Sequence, residues 1–214
     1  LYRRGAMEKE PEVLYVDGWI AVIVKPAGLM VEPDRLGHPN VQDWGETQWG
    51  GRTWAVHRLD RPTSGLLVVA RKKTACTRLM EQFEKRQIGK RYVLRSSADL
   101  PSGEWFWEDH LEKRPAEFRS IVVEPPAGQR ASMRGQSHSN TEAEVELFTG
   151  RYHQIRAQAA HRNMAILGDE FYGGVAWDQE GIALHACYLR FQHPQTGELM
   201  EYQNYPDWYS SAPR

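Results

Sequence analysis

The sequence of 214 residues is poor in cysteine and has no long apolar run. Only Cys76 and Cys187 occur, without a CxxC pair, which excludes a disulfide-rich scaffold and favours a reducing compartment. No stretch approaches the roughly 18 apolar residues of a membrane span. The opening residues, LYRRGAMEKE, lack the apolar core of a signal peptide. We therefore expect a cytoplasmic protein without a membrane anchor, and we interpret residues 1–12 as a tail whose first six residues are a scar of expression.

Motifs for nucleotide cofactors and metals are also missing. The chain has neither a G-x-x-x-x-G-K-[ST] phosphate loop nor a G-x-G-x-x-G turn after a strand. It has no HExxH, its eight histidines do not cluster at ligand spacing, and Ser64 lacks the G-x-S-x-G context of a hydrolase nucleophile. We therefore expect no cofactor and no metal, which leaves carboxylates and arginines as the candidate chemistry.

Basic charge is concentrated in one part of the chain. The formal net charge of −1 argues weakly against nucleic-acid binding. Between residues 71 and 95, however, only Glu81 and Glu84 oppose nine cations. The cations are Arg71, Lys72, Lys73, Arg78, Lys85, Arg86, Lys90, Arg91 and Arg95. Such a run is either a solvated helix face or a surface that faces phosphates, and its composition alone favours the solvated face.

Hydrophobic periodicity predicts many strands and few helices. A hairpin is predicted around Asp17-Gly18, buried strands over LLVVA and KRYVLR, and a helix over residues 74–89 with Thr74 as N-cap and Gly89 after its end. The stretch at 128–140 is predicted to be an exposed loop. Together these elements indicate an α+β fold with a mixed, mainly antiparallel sheet, in a single domain over residues 13–214 without a separate RNA-binding domain.

Two alternating or amphipathic patterns predict which side chains are buried. The helix is predicted to bury Ala75, Leu79, Met80 and Phe83 on one face. In TEAEVELFT the three glutamates alternate with apolar residues, so we predict that Glu142, Glu144 and Glu146 face water.

Asp60 is the leading catalytic candidate. It lies in VHRLDRPTSGLLVVA, in a polar turn just before a buried strand, where rigid sheets carry functional groups. Spacing alone favours an aspartate that caps its own turn. Arg58 lies two residues from Asp60, and Arg156 in HQIR is a second candidate partner. An aspartate close to an arginine, however, is most often part of a structural ion pair. On this evidence alone no reaction can be named.

Five further segments give the sequence a family resemblance. HRLDRPTSGLLVVA resembles the signature of the RluA-like family of RNA pseudouridine synthases, and five other segments resemble further motifs of that family, all in family order over about residues 12–204. They are VIVKPAGLMV, KRYVL, TGRYHQIRAQAA, GDEFYGG and LHACYLRFQHPQTGE. The chain departs from the family pattern at Gln158, Ala159 and Ala165, and in a shorter stretch before TEAEVELF. The changes at these three positions predict looser packing of the helix behind the active site.

The resemblance implies a bent sheet with flanking helices and a catalytic cleft, and the conversion of uridine to pseudouridine within RNA. Asp60 would be the catalytic carboxylate, Arg156 the cation beside it, and Tyr92 the ring that stacks on the flipped uracil. Arg58 would hold the space that the base vacates. Further RNA or substrate contacts are implied for His57, Lys25, Thr63, Lys72, Lys73, Lys90, Arg91, Arg151 and His153.

Two other function classes stay open at this point. One is an RNA-binding protein on the same fold without catalysis, against which the presence of Asp60, Tyr92 and Arg156 argues. The other is a carboxylate-dependent N-glycosidase acting on free nucleosides, which would need no basic run. The expected partner is RNA, either ribosomal or transfer RNA, and the expected state is a monomer. The sequence does not specify which uridine is the target, nor whether Asp60 attacks C1′ or proceeds through a glycal.

Overall fold

The computed structural model describes residues 9–211, which form two compact units. The first unit contains the described residues up to Lys90 and Ala186–Asn204, and the second contains Arg91–His185 and the residues from Tyr205 onward. Part of the predicted N-terminal tail, residues 1–8, lies outside the described residues. The elements in chain order are β1 Glu12–Val16, β2 Ile20–Lys25, α1 Val41–Trp49, β3 Trp54–Ala55, β4 Ser64–Ala70, α2 Lys73–Glu84, β5 Gly89–Arg95, β6 Glu104–Arg114, β7 Arg119–Val123, β8 Gln129–Ser137, β9 Glu142–Leu147, α3 Gln154–His161, β10 Leu184–Gln192 and β11 Leu199–Gln203.

The sheet of the first unit has the order β1-β2-β4-β10, with β3 beside β4 and β11 beside β10. The pairs β1–β2, β2–β4, β3–β4 and β10–β11 are antiparallel. The β1–β2 hairpin is confirmed. The N–H of Asp17 donates to the Ile20 carbonyl at 3.0 Å, so the two-residue loop is Gly18–Trp19 rather than Asp17–Gly18. Asp17 precedes the loop, and its carboxylate accepts hydrogen bonds from the N–H groups of Trp19 and Ile20 at 2.7 and 2.8 Å.

Helix α2 packs on the sheet of the first unit. Its Ala75 and Leu79 join Leu66, Val68 and Phe191 in one buried cluster, and burying each large side chain stabilises the fold by about 1.5–3 kcal/mol.

The predicted ends of α2 are wrong. Lys72 is the N-cap, without a side-chain hydrogen bond, and Thr74 lies inside the first turn. The helix ends at Glu84, with Arg86 in the left-handed conformation, whereas Gly89 begins β5. Met80, predicted to be buried, is 47% exposed.

The second unit has the strand order β5-β9-β8-β6-β7. Its strand pairs β5–β9, β8–β9, β6–β8 and β6–β7 are antiparallel. Ala157 of α3 packs with Leu111 and Ala131. The α+β class and the mainly antiparallel strands therefore agree with the prediction.

Two predictions in this unit are wrong. The stretch predicted to be an exposed loop is strand β8, because its residues 129–136 pair with β6 along nearly their whole length. Glu142 is 2% exposed instead of facing water, because Arg95 and the Ser210 hydroxyl donate hydrogen bonds to its carboxylate. Burial alone would raise the pKa of Glu142, but these donors hold it below its usual value.

Candidate active site

Asp60 lies in the loop that joins β3 to β4. The neighbouring Leu59 is buried, and Asp60 itself is partly buried. The Asp60 carbonyl accepts a hydrogen bond from the Thr63 N–H at 3.0 Å, which closes a tight turn immediately before β4. Loops held in this way by a rigid strand are where functional groups are most often placed. The turn fixes the backbone of Asp60 close to the start of β4, whose residues after Ser64 are all buried.

Lys25 ties this loop to the end of β2. Its side chain is 0% exposed, and its ammonium donates hydrogen bonds to the carbonyls of Pro26 and Leu29, both at 2.8 Å, and of Arg61 at 3.3 Å. The N–H of Gly28 also donates to the Arg61 carbonyl, at 2.9 Å. The resemblance assigns Lys25 to RNA contact, but the structure buries it completely. We therefore assign it to positioning, because it fixes the residue that follows Asp60.

Thr63 and Gly65 complete the turn. Thr63 is 2% exposed, and its hydroxyl has no hydrogen-bond partner among the described residues. A buried polar atom without a partner is uncommon and is often explained by an absent ligand or water. Gly65 has a φ of +115°, and a Cβ there would lie 2.4 Å from the carbonyl oxygen of Ala186 in β10. Only glycine permits this close approach of two strands beside the Asp60 loop.

His57 is a neutral part of the packing behind the loop. Its Nε2 accepts a hydrogen bond from the Val68 N–H at 3.2 Å, and its ring lies 4.9 Å from the ring of Phe83 in α2. Burial, together with the nearby Lys90 ammonium, lowers the pKa of His57 to about 3. The imidazole is uncharged at pH 7, so it offers RNA no charge.

Arg58 points away from this packing. Its side chain is 57% exposed, and it donates to the carboxylate of Glu32 at 3.2 Å. An exposed pair of this kind contributes only about 0–1 kcal/mol, so a phosphate can replace the glutamate at little cost. Arg58 is therefore exposed and paired only with Glu32 in this contact, and its contact with RNA stays a prediction.

The basic run does not form one surface. Lys72 and Lys73 lie at the start of α2, whereas Lys85 and Arg86 follow its end, and about 18 Å of helix separates the two groups. Because the rings of His57 and Phe83 are in contact, the end of α2 lies beside the Asp60 loop. Lys90 is the second residue of β5, and burial lowers its pKa. Only the second group is close to Asp60.

Tyr92 and Arg91 lie on β5 in the second unit. Tyr92 is 7% exposed and pairs with Val145 of β9. Arg91 donates to the carboxylate of Glu144 at 2.6 Å. The buried ring of Tyr92 carries a hydroxyl, and a buried tyrosine normally uses that group as a hydrogen-bonding handle.

Arg156 is held by a carboxylate that the sequence did not indicate. Its Nε and Nη2 donate to the two carboxylate oxygens of Asp169 at 2.7 and 2.9 Å, and the two side chains are 5% and 1% exposed. The guanidinium also lies 4.9 Å from the ring of Tyr172. This bidentate geometry fixes the orientation of the guanidinium. The one clue in the sequence is that Asp169 belongs to the GDEFYGG segment.

His153 and Arg151 precede α3. His153 has a φ of 52°, its ring stacks on Tyr152 at 3.8 Å, and its Nδ1 lies 3.1 Å from the Tyr172 hydroxyl. Arg151 is exposed and donates to the carbonyl of Arg130 at 3.0 Å. Arg151 and Tyr152 line a cleft of about 400 Å³ in the second unit, together with Leu111, Glu112, Lys113, Ser120, Gly128, Gln129 and Gly150. His153 therefore helps to orient the Tyr172 side chain, and Arg151 places a positive charge at the surface.

Gln158, where the sequence departs from the family pattern, is part of a buried polar network. Gln158 is 0% exposed, and its amide donates to Asp109 at 2.6 Å. Arg162 donates to both oxygens of the same carboxylate at 2.8 and 3.1 Å. Burial raises the pKa of Asp109, but the donors outweigh it and the net shift is downward. Ala159 is also fully buried. A polar network therefore takes part in the packing of α3 at this position, and looser packing than in the family stays a prediction.

Within residues 9–211, no group of three or more His, Cys, Asp or Glu side chains is arranged to hold a metal ion. In the same range, none of the helices has the length and apolar character needed to cross a bilayer.

Comparison with known sequences places these residues in a family context. The family described as RNA pseudouridylate synthase matches residues 20–161. The chain is 34% identical to ribosomal large subunit pseudouridine synthase D of Haemophilus influenzae, over 94% of this chain and 67% of that protein. It is 31% identical to the protein of the same name from Yersinia pestis, over 98% of this chain and 70% of that protein.

Solved structures share the fold. The human RNA pseudouridylate synthase domain containing 1 structure matches with a TM-score of 0.75 and 20% identity, over 92% of this chain and 84% of that chain. The human RNA pseudouridylate synthase domain containing 4 structure matches with a TM-score of 0.72 and 21% identity, over 92% and 90% of the two chains.

Proposed function

The chain belongs to the RluA-like family of RNA pseudouridine synthases and is an isomerase that acts on RNA, and from this premise we propose that it modifies uridine in ribosomal RNA with Asp60 as the catalytic carboxylate. The names of its relatives support ribosomal RNA as the substrate. The observation that carries the role of Asp60 is the rigid turn in which it lies, closed by Thr63 and fixed to β2 through Lys25 and Arg61.

The reaction needs a carboxylate more than any other group. Breaking the N1–C1′ bond builds positive charge on the ribose, which a nearby carboxylate stabilises. The uracil then rotates and C5 bonds to C1′. Asp60 either attacks C1′ or stabilises the cation and takes the C2′ proton to give a glycal. Atoms and electrons balance without an oxidant or a leaving group, so the chemistry requires no cofactor.

We assign Arg156 to the support of an ionised Asp60. Burial disfavours a carboxylate, and a neighbouring cation restores its charge. The guanidinium of Arg156 has five N–H donors, of which Asp169 accepts two. Its orientation is fixed by that pair and by the ring of Tyr172. Asp169 is on this proposal a positioning residue.

We assign Tyr92 and Arg58 to the step in which the target base is flipped out of the RNA. The target base must leave the stack before the enzyme can act on it. Tyr92 would stack on the extruded uracil, and its hydroxyl would act as the acid or base in the transfer of the proton at C5. Arg58 would release the Glu32 carboxylate, bind the RNA and hold the space that the base vacates. The exposure of its side chain supports this role. The buried hydroxyl of Thr63 would find its partner in the bound substrate.

The remaining contacts with RNA near Asp60 would come from Arg61, Lys85 and Arg86, which are exposed or partly exposed and lie on the loop itself or at the adjacent end of α2. Arg151 would add an exposed cation in the second unit. We propose that the protein acts as a monomer in the cytoplasm, where ribosomal RNA is available.

Product analysis tests this function. Purified protein is incubated with ribosomal RNA transcripts, with transfer RNA and with free uridine, and pseudouridine is measured in each. We expect product only in ribosomal RNA. Product from free uridine would indicate a nucleoside enzyme, and RNA binding without product would indicate a binding protein. Mapping pseudouridine in ribosomal RNA from cells with and without the gene identifies the position.

A further inference from the structure

The far end of β4 carries a cluster of tryptophans and cations. Trp19, in the β1–β2 loop, has the ammonium of Lys72 4.5 Å from its ring centroid and the guanidinium carbon of Arg78 at 5.6 Å. The loop is held in place because the N–H of Arg71 donates to the Trp19 carbonyl at 2.8 Å. Lys72 and Arg78 are exposed and Trp19 is partly buried. A fixed ring therefore presents two cations to solvent.

Two more tryptophans extend this cluster. The guanidinium of Arg71 lies 5.3 Å from the ring of Trp49 and also donates to the Asp17 carbonyl beside the loop. Trp54 pairs with Ala70 at the end of β4, and Arg52 lies 5.8 Å from its ring. We call the combined surface the tryptophan–cation face; its members are Trp19, Trp49, Trp54, Arg52, Arg71, Lys72 and Arg78.

The cations of this face are not neutralised. Among residues 9–211, none of its four cations forms an ion pair with a carboxylate. The second unit differs, since most of its arginines are paired with aspartate or glutamate. The paired arginines are Arg91, Arg95, Arg114, Arg119, Arg130, Arg134, Arg156 and Arg162.

The distribution of charge over the chain follows the same division. Described residues of the first unit contain 14 Lys and Arg against 12 Asp and Glu, a formal net charge of +2. Those of the second unit contain 10 against 15, a formal net charge of −5.

The position of Lys72 and Lys73 does not serve the stability of α2. They are the N-cap and the first residue of the helix, and Lys72 makes no side-chain capping bond. Positive charge at a helix N-terminus is unfavourable, and a residue such as serine would cap the helix better. Capping and the helix dipole therefore do not explain the cations at this end of the helix.

The face is remote from Asp60. Strand β4 has seven residues, so about 20 Å separates its two ends. Asp60 precedes the first end, and Ala70 and Arg71 mark the other. A nucleoside in the pocket cannot reach both, whereas an RNA of many nucleotides can, because its phosphates continue along the protein surface beyond the target uridine.

From these observations we infer that the tryptophan–cation face is a second RNA-binding surface, which holds the backbone of a long substrate about 20 Å from the target uridine. This inference rests on the proposed function. Cations that neutralise phosphates supply most of the sequence-independent affinity for RNA. Aromatic rings add a stacking surface that tolerates any base. The combination fits RNA better than an acidic peptide, which offers no bases to stack.

The test compares two lengths of RNA. The probes are a stem–loop of about 25 nucleotides from ribosomal RNA that contains the mapped uridine, and a five-nucleotide RNA centred on the same uridine. The variant is Arg52→Gln with Arg78→Gln, two exposed members of the face. The matched control is Arg130→Gln with Arg134→Gln, which removes the same charge from arginines that already have carboxylate partners.

We expect the Arg52/Arg78 variant to bind the stem–loop about tenfold more weakly and to lower the slope of log affinity against log salt by about 1.5, the value for two lost phosphate contacts. The affinity of this variant for the five-nucleotide RNA and its rate at saturating RNA should equal those of the parent. The control variant should equal the parent in its affinity for both RNAs, in its salt slope and in its rate. An equal loss on both RNAs, an equal loss in the control, or no loss would overturn the inference, as would preferential binding of an acidic peptide. Failure of the proposed function would look different, because the parent would then form no pseudouridine in either RNA.

Discussion

At the scale of single residues, His57 shows how far burial lowers the pKa of an imidazole. Its folded pKa of about 3 lies below the unfolded value near 6.5. As the pH falls below 6.5 the unfolded chain binds a proton that the folded chain does not. Stability is therefore lost progressively between pH 6.5 and about 3.

The first prediction follows from this shift. His57→Gln keeps an acceptor for the Val68 N–H and removes the titration. Between pH 7 and pH 5 the parent should lose about 2 kcal/mol more unfolding free energy than the variant. Urea denaturation at the two pH values measures the difference. Equal losses would mean that His57 is protonated in the folded protein.

The second prediction separates two roles of Tyr92. Phe keeps the ring and loses the hydroxyl, whereas Leu loses both. We expect Tyr92→Phe to bind RNA as the parent does, and Tyr92→Leu to bind more weakly by about 1–3 kcal/mol, the contribution of one stacked base. Release of tritium from C5-labelled uridine reports the proton step. Parent-rate release by Tyr92→Phe would restrict Tyr92 to stacking, and normal binding by Tyr92→Leu would remove that role too.

Motifs predicted the identity of the candidate catalytic residues but not their surroundings. Asp60 and Arg156 were singled out from HRLD and HQIR, because those residue types in that order resemble the family. The burial of Lys25 could not be predicted, since its ammonium meets the carbonyl of Arg61, 36 residues along the chain. Asp169 was missed for the same reason, because a carboxylate becomes a partner only when the fold brings it to an arginine.

At the scale of elements, the Arg156–Asp169 pair joins α3 to the GDEFYGG loop of the second unit. The third prediction is that Asp169→Asn lowers the free energy of unfolding by about 3–5 kcal/mol, because it leaves a buried guanidinium without its counter-charge. We also expect slower turnover at temperatures where the variant is folded.

Glu170→Gln is the matched control, since this neighbouring carboxylate is exposed. The control should have the same free energy of unfolding in denaturant and the same single-turnover rate as the parent. An Asp169→Asn protein as stable and active as the parent would show that the pair neither stabilises α3 nor orients Arg156.

Strands with regular alternation were predicted from sequence, and strands with small residues were not. Strand β8 escaped detection because glycine and serine replace the usual apolar residues. Gly135 is required there, since a Cβ would lie 2.1 Å from the Trp105 ring. That contact crosses from β6 to β8 and leaves no local signal. The ends of α2 were misplaced because its N-cap is a lysine, which local capping rules do not select.

At the scale of the whole molecule, the fold class was predictable because it depends on the count and spacing of strands, which survive errors in their ends. The contrast in charge between the two units was not predicted. A net charge near zero hides it, because the acidic second unit offsets the basic first unit. Net charge is therefore a poor guide to RNA binding when charge is unevenly distributed.

The measurement that tests the central claim most directly compares the parent with Asp60→Asn in single-turnover assays on ribosomal RNA labelled with tritium at C5 of uridine. The amide matches the carboxylate in shape, so the variant should fold and bind RNA like the parent. The account predicts tritium release and pseudouridine from the parent and neither from Asp60→Asn. Pseudouridine formed by Asp60→Asn at a rate near that of the parent would contradict catalysis by the Asp60 carboxylate.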